Sequence, residues 1–155
     1  MKTKFLVALF ITFISFHSFS QFSDKYFSVT SSTSQDWGGG TADSGSGTNY
    51  TFSISLSKDA AITFDSVWIA GGTVLFLGTG KNIVDFIKGD VCTLYASQYY
   101  PGYDLFYDYD IVEIKTGSPP PILYKGCALI RFKVKGEIYY YAVEEMQKLA
   151  AIAYP

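Results

Sequence analysis

Apolar and polar residues alternate along most of the chain after its first twenty positions. The alternation is clearest in 49–57, where Tyr50, Phe52, Ile54 and Leu56 are separated by Ser and Thr residues. Because successive side chains of a β-strand point to opposite faces of a sheet, this segment predicts a strand with one buried face. Similar patterns, rich in β-branched and aromatic residues, predict further strands at 26–32, 61–69, 73–77, 83–87, 91–98, 107–115, 127–134 and 137–143.

Glycine and proline residues separate these segments. They predict turns at 70–72, 78–82, 88–90, 116–121 and 135–136. The sequence predicts a hairpin over 127–143, because the short loop Lys135-Gly136 joins its two predicted strands. Only 143–153 has a spacing that fits either a helical turn or a last edge strand. Strands that recur every 8 to 12 residues, without intervening helices, predict an all-β chain, an antiparallel β-sandwich of about eight or nine strands.

The N-terminus has the pattern of a secretory signal peptide. Lys2 and Lys4 precede an apolar run over 5–16, and the small residues Ser18 and Ser20 come before Gln21. The run is shorter than a membrane-spanning helix requires, and no second long apolar run follows. We therefore expect a signal helix over 1–20, a single domain over 21–155 without a membrane span, and a secreted or periplasmic location.

Removal of the signal changes both the charge and the available chemistry. The remaining chain has ten basic and fourteen acidic residues, a formal charge of −4, which disfavours nucleic acid as a partner. The sole histidine, His17, lies inside the signal. Without an imidazole, the usual Ser/His, Cys/His and zinc sites lack a component. We expect a non-catalytic protein without a cofactor or metal.

Cys92 and Cys127 are the only cysteines. In an oxidising compartment they predict a disulfide, whose loop of about 36 residues would contribute about 4 kcal/mol by the chain-entropy relation. The alternative is two buried thiols that behave as small apolar side chains.

Five glycines and Trp37 mark the segment 36–49. The glycines, Gly38, Gly39, Gly40, Gly45 and Gly47, do not form a phosphate loop, because no Gly-Lys pair and no helix follow them. Asp36 and Asp43 are too few oxygen ligands for a typical calcium loop. The segment therefore predicts a long, mobile hairpin connection. Its Trp37 either packs onto the sandwich or stands exposed as a ligand contact.

The segment 99–110 contains five tyrosines and three aspartates. On an extended segment three aspartates would share one face, and tyrosine rings would be available to stack on a sugar. This pattern fits a glycan platform, a weak Ca²⁺ site, or a polar strand face beside a tyrosine-rich core. The candidate ligand contacts are Trp37, Tyr99, Tyr103, Asp104, Tyr107, Asp108 and Asp110.

Segment 137–143 presents aromatic or apolar residues on both faces. Tyr139 and Tyr141 share one face, and Ile138, Tyr140 and Ala142 share the other. This pattern fits a central strand covered on both sides as well as an exposed aromatic binding strip.

Several segments resemble a set of small, uncharacterised secreted proteins from flavobacteria and their relatives. The resemblance lies in the C-terminal stretch 124–155, in Trp37-Gly38-Gly39, in 64–69 and in Lys88-Gly89-Asp90. It implies a secreted β domain from a Gram-negative bacterium and assigns no catalytic residue.

These observations lead to three hypotheses for the function. The first is a secreted, non-catalytic binding or structural module with an unknown protein or glycan partner. The second is a glycan- or calcium-associated surface protein that uses 99–110. The third is a small hydrolase, which would need two facing carboxylates.

Overall fold

The computed structural model describes residues 21–41, 44–69, 73–76, 85–100 and 118–155. These residues form strands without a helix, which confirms the all-β class. In chain order the strands are β1 (Gln21–Phe22), β2 (Phe27–Gly38), β3 (Ser46–Leu56), β4 (Ala60–Ile69), β5 (Thr73–Phe76), β6 (Asp85–Phe86), β7 (Val91–Tyr100), β8 (Ala128–Val134), β9 (Glu137–Val143) and β10 (Gln147–Ala153).

The strands form the two layers of a β-sandwich. The first sheet has the order β1-β9-β8-β4-β5, and β6 pairs with β4. The second sheet has the order β10-β2-β3-β7. Pairing is antiparallel except at β1–β9 and β10–β2, where the first and the last strand each join an edge in parallel.

The core lies between the two sheets and is rich in phenylalanine. Phe27 and Phe52 from the second sheet and Phe132 from the first are fully buried. The ring of Phe27 lies 5.0 Å from that of Phe132 and 5.3 Å from that of Phe64, both in edge-to-face geometry. Such pairs add to the free energy gained from apolar burial, so these rings hold the layers together.

The predicted alternation over 49–57 is confirmed. In β3, Tyr50, Phe52, Ile54 and Leu56 are buried in the core, and the residues between them are not. The other predicted strands also occur, with changes of at most two residues at their ends except in β2, which continues to Gly38 although the prediction ended at Ser32. The predicted strand 107–115 lies outside the described residues, as do the predicted turns 70–72 and 78–82.

The hairpin around Lys135-Gly136 is confirmed as well. Both residues have positive φ, 52° and 84°. Two consecutive positive φ angles define the turn that matches the right-handed twist of paired strands. The segment 143–153 is resolved in favour of the strand: β10 runs beside β2, from Gln147 opposite Thr33 to Ala153 opposite Gly38.

A chain segment covers the outer side of the first sheet. Trp68, Leu129 and Tyr140 form a small buried cluster there, against which Ile122 and Tyr124 pack. The Trp68 indole Nε1–H donates a 3.0 Å hydrogen bond to the carbonyl of Ser118. Strand β9 is therefore covered on both sides, and its tyrosines are not an exposed binding strip.

The expected disulfide between Cys92 and Cys127 is not formed in the structure. Cys92 lies on β7 in the second sheet, whereas Cys127 directly precedes β8 in the first sheet. The Cys127 thiol instead donates to the carbonyl of Val143 at 3.3 Å, and its partial burial raises its pKa. Both side chains pack at the margin of the apolar core, as in the alternative of small apolar residues.

The predicted signal peptide and signal helix, 1–20, lie outside the described residues. Within the part of the chain that is described, no helix has the length and apolar character needed to cross a membrane.

Candidate functional site

Trp37 and Tyr99 lie in one row across the second sheet. In the strand register Trp37 is opposite Gly47, and Gly47 is opposite Tyr99 on the other side. Directly paired residues project to the same face, and Gly47 belongs to the β3 set that alternates with the buried residues. Trp37 and Tyr99 therefore lie on the face of the second sheet turned away from the core, called the outer face below.

Two glycines, Gly45 and Gly47, leave the space in which the two rings approach each other. The ring planes are inclined by only 21° and the centroids are 5.9 Å apart. A Cβ at Gly47 would stand 2.7 Å from Trp37 Nε1, and one at Gly45 would stand 2.7 Å from the Tyr99 hydroxyl. Gly45 also has a φ of 73°, which favours glycine. These two glycines are therefore needed for the position of the rings.

Tyr154 completes the group from the C-terminal segment. Its ring meets that of Trp37 edge-to-face at 6.1 Å, and its N–H donates a 2.9 Å hydrogen bond to the carbonyl of Gly38. Tyr99 and Tyr154 remain 57% and 46% exposed. We call Trp37, Tyr99 and Tyr154 the aromatic platform. It presents ring surface to solvent although the rings support one another.

The rest of the outer face is uncharged and mostly polar. The row next to the platform contains Gln35, Asn49 and Ser97, and the Ser97 hydroxyl donates a 2.8 Å hydrogen bond to Asn49 Oδ1. The next row contains Thr33, Thr51 and Tyr95, and Tyr95 is 54% exposed. Among the strand residues that the described register places on this face, none is charged: Ser28, Ser31, Thr33, Gln35, Trp37, Gly47, Asn49, Thr51, Ser53, Ser55, Val91, Thr93, Tyr95, Ser97, Tyr99, Gln147, Leu149 and Ile152.

The nearest ion pair lies on the opposite side of the same sheet. Lys148 Nζ is 2.7 Å from Asp36 Oδ2, and Thr48 Oγ1 donates a 2.8 Å hydrogen bond to Asp36 Oδ1. The hydrogen bond from Lys148 lowers the pKa of Asp36, and the one from Thr48 lowers it further. Asp36 pairs in register with Thr48, in the row beyond the buried Tyr50, so the charges face away from the platform.

The structure therefore joins two of the candidate contacts predicted from the sequence, Trp37 and Tyr99. The others, Tyr103, Asp104, Tyr107, Asp108 and Asp110, lie outside the described residues, as does Asp43. Tyr154 and Tyr95 were not among the predicted contacts. Tyr95 alternates with Leu94 and Ala96 in β7, a local sign that it faces away from the core.

The prediction of a long hairpin connection over 36–49 is wrong in its extent. Antiparallel pairing continues to Gly38 opposite Ser46, so the connection begins at Gly39 and ends at Gly45. A hydrogen bond of 2.9 Å from Gly39 N to Gly45 O closes it. Trp37 is consequently a strand residue, and its direction is set by the sheet.

The described part of the chain contains few other groups of side chains that could carry out catalysis or hold a metal ion. A cleft of about 490 Å³ lies where β9 ends and β10 begins, and its acidic lining residues, Glu144 and Glu145, are neighbours in the chain. Glycoside hydrolysis requires two carboxyl groups that face each other across the bond. The described residues also contain no cluster of three His, Cys, Asp or Glu side chains placed to hold a metal ion.

Comparison of the chain with known protein families, with curated proteins and with solved structures gives no match.

Proposed function

We propose that this protein is a secreted, non-catalytic binding module whose aromatic platform binds a glycan. The observation that carries the proposal is the group of aromatic rings on a solvent-facing sheet, in which Tyr99 and Tyr154, each about half exposed, pack against Trp37. The apolar face of a sugar ring stacks on an aromatic ring, whereas its hydroxyls need hydrogen-bonding groups at the edge. The platform and the neighbouring row supply these two kinds of group side by side.

The surroundings of the platform support a sugar ligand. Asn49 keeps its amide nitrogen as a donor while its Oδ1 accepts from Ser97. Gln35, on the other side of Asn49 in the same row, is tied by its Nε2 to the carbonyl of Ala150 at 3.0 Å. Its Oε1 is then available as an acceptor. Fixed amides beside exposed rings lose little side-chain entropy when a ligand binds.

The rigidity of the platform also supports a preformed site. Trp37 contacts Tyr99 on one side and Tyr154 on the other, and Gly47 beneath it is buried. Ligand sites that require little rearrangement keep more of the free energy of contact as affinity. A sheet face with such rings can bind a saccharide without closure of a loop.

The test is a matched pair of tyrosine variants, Y99A and Y100A. The two residues are adjacent on β7, but Tyr100 pairs with Ser46 and projects to the other side of the sheet, where it is 37% exposed. Binding is measured by affinity electrophoresis and calorimetry with cellulose oligosaccharides, xylan, mannan, chitin oligosaccharides, alginate and polygalacturonate.

We expect binding to at least one of these glycans and an affinity about tenfold lower in Y99A, which corresponds to about 1.4 kcal/mol for one lost stacking contact. Y100A is expected to bind as the wild type does. Far-UV circular dichroism and thermal melts verify that both variants are folded. Absence of binding to every glycan, or equal losses in the two variants, would overturn the proposal.

A further inference from the structure

We infer that the ligand of this site is an uncharged oligosaccharide chain that runs along β7, with Tyr95 as a second contact distant from the aromatic platform. This inference rests on the proposed glycan-binding function and specifies its ligand. It follows from the spacing of exposed rings on one strand, from the polar residues between them and from the absence of charge on the described outer face.

The spacing of the rings determines the length of the ligand. Tyr95 and Tyr99 are on the same strand and face, both more than half exposed. Four residues of extended chain separate their Cα atoms by about 13 Å. A single sugar ring cannot contact both side chains over that distance. A chain of several sugars that lies parallel to β7 can contact both.

The residues between the two rings fit the middle of such a chain. Ser97 lies halfway between Tyr95 and Tyr99, and its hydroxyl is bonded to Asn49 on the adjacent strand. Tyr95 itself is opposite Thr51, which adds another hydroxyl. The strip along β7 therefore alternates ring, hydroxyl and amide, and ring. Sugar faces and sugar hydroxyls alternate in a comparable way along a linear glycan.

The lack of charge determines the chemical class. A polyanionic glycan gains affinity chiefly from Lys and Arg side chains, and the described strand residues of the outer face include neither. Lys148, the basic residue of β10, pairs with Asp36 on the opposite side of the sheet. A carboxylated glycan on the outer face would lose hydration without gaining an ion pair. An uncharged glycan avoids that cost.

The experiment compares short and long ligands in Y95A, Y99A and the wild type. The probes are the di- and hexasaccharides of β-1,4-linked glucose, xylose and mannose, with alginate hexasaccharide as the charged counterpart. For a neutral sugar that binds, we expect Y95A to weaken the hexasaccharide about tenfold and to leave the disaccharide within twofold. Y99A is expected to weaken both. Y95F retains the ring and is expected to bind the hexasaccharide nearly as the wild type does.

Salt provides a second readout. Binding without ion pairs is expected to change less than twofold between about 0.05 and 0.5 M NaCl, because screening acts on charges. An unchanged hexasaccharide affinity in Y95A, or equal affinity for alginate and the neutral chain, would overturn the inference while leaving the proposed function in place. Binding of alginate alone would likewise overturn only the inference. Absence of binding to these probes and to every other glycan of the panel used for the proposed function would instead overturn that function, and the inference with it. Thermal melts confirm that Y95A and Y95F are folded.

Discussion

Gly47 is the position at which a single methyl group would have the clearest effect. In G47A the new Cβ would stand 2.7 Å from Trp37 Nε1 and 2.8 Å from Cε2, and it would also crowd the carbonyl oxygen of Gln98. Favourable contacts of this kind lie at about 3.5–4.0 Å. The indole must therefore move by about 1 Å, and the backbone of β7 must move as well, because the oxygen belongs to the main chain.

The cost of that movement follows from measurements on overpacked sites, which give about 1–3 kcal/mol. We expect the free energy of unfolding of G47A to fall by about 2 kcal/mol. With a urea dependence of about 2 kcal/mol per molar, the midpoint of unfolding moves down by about 1 M. Glycan binding is expected to weaken at the same time, since the displaced indole no longer lies beside Tyr99.

Gly38 provides the matched control. It is a glycine of the neighbouring strand β2, but a Cβ built on it has no atom within 4 Å. G38A is expected to be as stable as the wild type or more stable by up to about 1 kcal/mol, because alanine restricts the unfolded chain. Urea unfolding followed by fluorescence and far-UV circular dichroism measures both variants. If G47A were as stable as the wild type, or if G47A and G38A lost the same free energy of unfolding, the argument that the Trp37 ring fills the space above Gly47 would be refuted.

Three further predictions concern other parts of the structure. K148A is expected to be destabilised at pH 7 but not near pH 2, because a depressed Asp36 pKa stabilises the fold above the ordinary value of about 3.9 and the effect is lost as the pH falls through the folded value; urea unfolding at each pH measures it. K135N is expected to gain about 0.5–1 kcal/mol, since asparagine tolerates the positive φ at position 135, and G136A is expected to lose about 1 kcal/mol at a φ of 84°. The Cys127 thiol is expected to react with iodoacetamide more slowly in the native protein than in urea, because burial raises its pKa; mass spectrometry follows the reaction.

Each of these three predictions has an outcome that would contradict it. A K148A effect that is the same at pH 7 and pH 2 would show that the ion pair is not its cause. A loss of stability in K135N would contradict the turn geometry. Equal alkylation rates of Cys127 in the native and the unfolded protein would contradict its burial.

Local pattern was sufficient to predict most of the strands. In β3 the alternation of Tyr50, Phe52, Ile54 and Leu56 with Ser and Thr predicts both the strand and its buried face, because the period of two is a property of the extended chain itself. The Lys135-Gly136 hairpin was predicted in the same way from a short loop between two apolar segments.

Trp37 shows where local pattern was insufficient. The glycines that follow it predict a loop, yet β2 continues through Gly38 because β3 pairs with it as far as Ser46. The Trp37 ring lies over Gly47. This glycine therefore leaves space for the ring and does not form a turn. The contact between Trp37 and Gly47 depends on the register between β2 and β3, and the sequence of one segment alone does not contain that register.

The aromatic platform and Tyr95 were only partly predictable for a related reason. Tyr154 joins the platform because the chain crosses from β9 in the first sheet to β10 in the second, where β10 pairs with β2 in parallel. Parallel pairing of distant segments leaves little local signal in the sequence. Tyr95 was placed in a predicted strand, but its alignment with Tyr99 beside Ser97 and Asn49 needs the pairing of β7 with β3. The pattern over 99–110 gave Tyr99 its place among the predicted contacts.

The chain passes back and forth between the layers, and this has a kinetic consequence. Strands of the first sheet separate β3 from β7 and β7 from β10, so the three residues of the platform come from remote stretches. Such non-local connections slow the search for the native topology, and domains of this kind fold in milliseconds to seconds. A partly folded chain, or a peptide cut from it, would therefore lack the assembled platform, and under the proposed function glycan binding would begin only when β10 has docked.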